Sequence, residues 1–179
     1  MTPAEKSGRV LRDGPDLTGA ALERRLAATW SRPKGIAGWL GTVDHKEIGC
    51  RYIVTALIFL AFGGLMALHM RLQLMFPDNQ LMGPDLFNET FTMHGTTMMF
   101  LFAVPAMQGV QIYLTPVMIG TRAMAFPRLT AFSFYMYLFG GLFLWAAHFL
   151  RFGPDAGWFS YVPLAGPQYG IGKRVDVWA

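Results

Sequence analysis

Three long apolar stretches punctuate a chain that is otherwise polar or mixed. Tyr52–Met70, Thr90–Thr121 and Leu129–Leu150 contain no Asp, Glu, Lys or Arg. A membrane-spanning helix needs about 20 mostly apolar residues, and each stretch comes close to or exceeds that length. The pattern predicts an all-α integral membrane helical bundle, with helices over about 52–72, 85–120 and 129–151. Residues 1–51 form a polar leading segment and residues 152–179 a loop after the third helix. The second stretch is unusually long. Gly83-Pro84-Asp85 reads as its start, because a proline in the first turn gives up an N–H that has no helical partner anyway. A helix from there to Ile119 would measure about 50 Å at 1.5 Å per residue, more than the roughly 30 Å hydrocarbon core. It must tilt, project or kink, and Pro105 is the predicted kink.

The polar positions between the stretches give a sidedness. Nine of the fifteen Lys and Arg fall in residues 1–51, and the loop after the second stretch carries Arg122 and Arg128 with no acid. The loop between the first two stretches carries Asp78, Asp85 and Glu89 with no base. Basic loops stay on the cytoplasmic side. The N-terminus and residues 122–128 are therefore expected inside, and residues 73–89 and 152–179 on the outer, periplasmic side. Lys173 and Arg174 run against the rule, but more than twenty residues past the third stretch, where it is weak. Within residues 16–31, Leu22, Leu26 and Trp30 recur at helical spacing beside Arg24 and Arg25, and Pro33 would end a helix. Two readings stand: a basic amphipathic helix on the inner membrane surface, or a disordered tail. The first apolar run begins near residue 52, too far in and too long for a cleavable secretory signal.

Composition agrees with lipid as the main solvent. Hydrophobic residues make up 53% of the chain, charged residues 15%, and mean hydropathy is +0.34, against about 25% charged in a soluble domain. The net charge of +4 is concentrated ahead of the first helix, so it argues for no nucleic acid partner. The single cysteine, Cys50, excludes an internal disulfide framework and a cysteine-rich metal site. Phosphate-binding glycine loops, G-x-S-x-G, H-E-x-x-H and Cys-x-x-Cys are absent, and the twelve methionines show no paired spacing that favours copper.

The candidate chemistry centres on His94. A polar side chain about ten residues, or roughly 15 Å, into the second helix is costly and usually functional. Its possible uses are an interhelical hydrogen bond, a step in a proton path, or ligation of a metal. Thr90, His94, Thr97, Met98 and Leu101 share one helix face, with Gly95 adjacent. Small residues there leave room for something flat and bulky such as haem, but they also serve plain helix packing. Arg71 ends the first helix close in depth to His94. It either snorkels to the interface or donates to a carboxylate or carbonyl of a bound cofactor. His69 and His148, near outer helix ends, read as structural, as does His45 just before the first helix.

Several segments resemble subunit I of the haem–copper respiratory oxidases. Phe91-Thr-Met-His-Gly-Thr-Thr-Met-Met-Phe100 is similar to that family's second helix. Pro116-Val-Met-Ile-Gly120, followed by Met124-Ala-Phe-Pro-Arg128, is similar to the end of that helix and its inner loop. Val43-Asp-His-Lys-Glu-Ile-Gly49 resembles the approach to the first helix, and Gly157-Trp-Phe-Ser-Tyr-Val-Pro-Leu164 the outer loop after the third. Order and spacing fit over residues 39–179.

The resemblance implies three helices of a subunit with twelve or more, in a bacterial inner membrane. It makes His94 one axial ligand of the low-spin haem and Arg71 a hydrogen-bond donor to a haem substituent. The other axial ligand, the copper and the second haem belong to later helices, so the chain reads as an N-terminal fragment with no catalytic residue of its own and no activity alone. For the intact subunit it implies a cytochrome c oxidase that reduces oxygen to water, coupled to proton translocation. Implied partners are the remaining helices, other oxidase subunits, cytochrome c or quinol as donor, oxygen and the lipid bilayer. The matching positions depart from the family pattern in the inner loop. Ala123 stands where many members carry a proton-gathering Asp, Thr130-Ala131 replace an Asn pair, and Gln111-Ile-Tyr113 lacks an expected Asn. Since alanine accepts no proton, the acidic uptake route is absent or rerouted. The competing readings are a non-redox transporter or channel segment with His94 in a proton or ion path, and an inactive truncated fragment; a nitric oxide reductase shares the fold family.

Overall fold

The computed structural model describes residues 19–30, 35–157, 159–163, 165, 166 and 168. The chain divides into two units, Met1–Gly41 and Thr42–Ala179. Among the described residues every regular element is helical. In the first unit, α1 (Ala20–Trp30) and α2 (Gly35–Leu40) bury none of their described side chains. Residues 16–18 and 31 of the predicted amphipathic helix lie outside the described residues, as do Lys173 and Arg174.

The second unit holds α3 (His45–Gln73), α4 (Pro84–Met118) and α5 (Pro127–Phe149), each long and apolar enough to cross a membrane. The first helix begins seven residues ahead of the uncharged stretch. Asp44, in extended backbone, caps it by accepting the Lys46 N–H at 2.9 Å, which satisfies one of the open donors at a helix start. The charged turn that follows is thus helical, with Arg51 and Glu47 paired at i, i+4 across 3.8 Å.

The second helix starts at Pro84, as its sequence predicts. The break expected at Pro105 has a different form. The helix is α-helical over Pro84–Thr96, π-helical over Thr97–Ala103, and α-helical again over Val104–Met118. Pro105 has no N–H to give the Leu101 carbonyl, its α-helical partner. The Tyr137 hydroxyl on α5 donates to that carbonyl instead, at 2.7 Å. The wider π turn is a common way to absorb such a defect inside a helix.

Two buried clusters fill the bundle. Phe59, Met66, Met93, Leu101 and Trp145 form one, and Ile48, Tyr52, Ile112 and Phe134 the other. Tyr137 packs on both, its ring stacked on Tyr52 at 5.3 Å. α3 and α4 come close together where Gly49 faces Gly109. A Cβ on Gly49 would sit 2.8 Å from the Gly109 carbonyl oxygen, and one on Gly109 2.9 Å from that of Gly49. Membrane helices lack a hydrophobic drive to associate and gain contact by bringing small residues together. Around this interior, Leu57, Leu65, Leu114, Phe139 and Phe143 point outward. Such a surface suits lipid or further helices rather than water.

Candidate functional site

His94 lies on the α-helical part of α4, three residues before the π segment. Its Nδ1 is 2.9 Å from the Gly63 carbonyl oxygen on α3. A carbonyl only accepts, so Nδ1 carries the proton, and in the neutral ring Nε2 keeps its lone pair. Gly63 makes this approach possible because it has no side chain: a Cβ there would meet the Met98 sulfur at 2.7 Å and the Thr97 methyl at 3.5 Å. Thr97 is fully buried against the same backbone. The ring is half-buried, oriented by a neutral acceptor, with one nitrogen available to a ligand-seeking group.

Arg71 stands in the last turn of α3 with an exposed side chain. It is eight residues past Gly63, about 12 Å along the helix axis. The structure therefore separates His94 and Arg71 by about two turns in level, where the sequence places them close in depth. His69 stays on the exposed face, with its Nδ1 3.3 Å from the Leu65 carbonyl oxygen. His45 is the first residue of α3, buried, with Nδ1 3.7 Å from the Asp44 carboxylate.

One pairing escapes the sequence reading. Glu89, counted with the acids of a loop, sits on α4 at 2% exposure and meets His148 of α5. The His148 Nδ1 to Glu89 Oε1 distance is 2.8 Å. The backbone after α5 folds over this pair. A Cβ on Gly153 would fall 2.6 Å from Glu89 Oε1, and the Gly157 N–H donates to Thr92 Oγ1 at 3.0 Å. Asp85 also lies on α4 but is exposed. The signal available in the sequence was the helix start at Pro84, which already made Glu89 helical, one and a half turns from His94.

Ala123 lies exposed in the turn between α4 and α5, where its carbonyl accepts the Thr121 hydroxyl at 3.3 Å. The methyl group offers nothing to a proton. Among the described residues, no three of His, Cys, Asp and Glu are grouped to hold a metal ion. An imidazole oriented in this way can offer one nitrogen to a metal.

Three apolar helices around an oriented intramembrane histidine define a multi-pass membrane protein with one potential ligand to a prosthetic group. Residues 47–179 match the family described as cytochrome c and quinol oxidase polypeptide I, and the chain belongs to that family. Cytochrome c oxidase subunit 1 of Alkalihalophilus pseudofirmus is 44% identical over 150 residues, covering 83% of this chain and 24% of that protein. Its counterpart from Bacillus sp. strain PS3 is 45% identical over 142 residues, 77% of this chain and 23% of the relative. A haem-copper oxidase subunit I+III from Aeropyrum pernix is 42% identical over 140 residues, 78% of this chain and 17% of the relative. The chain thus spans about a quarter or less of the length of these relatives. The family implies haem and copper cofactors.

Proposed function

We propose that this chain supplies one face of the low-spin haem site in the catalytic subunit of a respiratory oxidase. The observation that carries the reading is the His94 Nδ1 bond to the Gly63 carbonyl. It fixes the tautomer and the ring plane and leaves Nε2 as the ligand atom, the usual arrangement of a metal-binding histidine. Haem bound there would supply one-electron transfer between an external donor and the oxygen-reducing centre.

The chain's own residues do the holding. His94 Nε2 would bind the iron, Gly63 sets the ring's orientation, and the guanidinium of Arg71 at the end of α3 would donate to a polar haem substituent. The other ligand to that haem, the copper and the second haem would be held by further residues of the whole subunit. The intact subunit takes electrons from cytochrome c or quinol, works with other oxidase subunits and couples the reaction to proton translocation. With Ala123 in the inner turn, protons enter by a route that does not begin on a carboxylate there. The basic leading segment and the Arg122–Arg128 loop face the cytoplasm of a bacterial cell, with the Gln73–Pro84 end of the bundle outside.

Haem counting tests this. Extraction and quantitation are expected to give two haems for the full-length subunit and one for His94→Ala, with the low-spin absorbance lost. A variant that keeps both haems would refute the assignment. A non-redox transporter segment predicts no haem in either protein and an ion flux that His94→Ala alters.

A further inference from the structure

The first unit carries its own pattern. On α1, Leu22 and Leu26 are neighbours at i, i+4 and are 42% and 41% exposed. On α2, Ile36, Trp39 and Leu40 fall on one face and are 79%, 54% and 44% exposed. Neither helix buries a described residue. Over residues 20–40 the sequence sets four basic residues, Arg24, Arg25, Arg32 and Lys34, against a single acid, Glu23. Leu40 is joined to the first residue of the spanning helix α3 by a tether that cannot exceed about 18 Å. The short helix that ends at Leu40 is therefore joined by a brief covalent tether to a helix able to cross a membrane.

We infer that residues 20–40 form a membrane-surface anchor that binds anionic lipid headgroups on the N-terminal side of the bilayer. Two features select that occupant. Leucine, isoleucine and tryptophan on short helices bordered by Arg and Lys suit the headgroup–acyl boundary, where tryptophan is favoured. The excess of three positive charges adds attraction to acidic headgroups that a zwitterionic surface does not provide. A protein partner would be selected by shape rather than by headgroup charge. The family model begins at residue 47, after this segment, so the anchor stands or falls independently of any haem.

The test uses the whole chain in nanodiscs. Cys50 is its single cysteine, so Cys50→Ser with Ile36→Cys gives one position for an environment-sensitive fluorophore. With phosphatidylglycerol in the disc, the label is expected to emit to the blue, resist aqueous acrylamide and be quenched by a lipid-borne nitroxide. In pure phosphatidylcholine, acrylamide reaches it. Replacing Arg24, Arg25, Arg32 and Lys34 together by Gln leaves the apolar residues intact and lowers partitioning onto the anionic disc by about tenfold or more. Equal acrylamide access in both lipids overturns the proposal. So does protection that persists in both lipids and in the four-glutamine variant, which would mean that protein or purely apolar insertion covers the segment.

Discussion

His94 and His148 lie toward the same end of the bundle, and each bonds through Nδ1 to an acceptor on a neighbouring helix, at 2.9 Å and 2.8 Å. The acceptors differ, and that difference separates the roles. The partner of His94 is a backbone carbonyl, which is neutral. It orients the ring and asks nothing of its charge, so Nε2 stays free to bind a metal. The partner of His148 is the carboxylate of the buried Glu89. There two ionisable side chains meet in one hydrogen bond, and the pair ties α4 to α5 beneath the Gly153 backbone.

The comparison can be broken most forcefully at Glu89. Glu89→Ala strands an imidazole and is expected to cost about 3–5 kcal/mol, since removing one member of a buried pair leaves the other uncompensated. The thermal midpoint of the purified full-length protein should fall steeply, while any low-spin haem that remains keeps its spectrum. Glu89→Gln retains an acceptor and should lose less. A shifted haem spectrum in folded Glu89→Gln protein would mean that the two histidines are not separate in role.

At Gly63 the expected effect is smaller in stability and larger in function. Gly63→Ala drives a methyl into the space of the Met98 sulfur, 2.7 Å away, for about 1–3 kcal/mol of overpacking. It also shifts the carbonyl that orients His94, so haem occupancy should drop more than the thermal midpoint does. Equal retention of both would remove Gly63 from the site. The mildest change is Tyr137→Phe. It deletes the hydroxyl that serves the Leu101 carbonyl beside the π segment, for about 1 kcal/mol, and haem content should not change.

The fold is largely readable from the apolar stretches, because a helix in lipid must satisfy its own backbone and so needs an unbroken apolar run. What the runs hide is where helices continue into charged sequence. α3 begins at His45, and Lys46, Glu47 and Arg51 mask its first two turns. The same masking placed Glu89 in a loop, although Pro84 marked the helix start ahead of it. The π segment leaves no compositional trace beyond Pro105, since its cause includes a hydroxyl from α5 thirty-six residues away. His94 stands out in the sequence as a polar side chain deep in an apolar helix. Gly63 does not, because a glycine that receives a hydrogen bond on its carbonyl is distinguishable from one that merely packs only when the partner helix is in place. Arg71 is visible as a helix-end cation, but its level relative to His94 depends on how α3 and α4 are staggered.

The most direct test is electron paramagnetic resonance of the oxidised full-length subunit in matched His94→Ala and His148→Ala variants. The account predicts that the low-spin haem signal disappears in His94→Ala and persists with unchanged g values, at reduced yield, in His148→Ala. A low-spin signal that survives His94→Ala, or vanishes in folded His148→Ala protein, would contradict it.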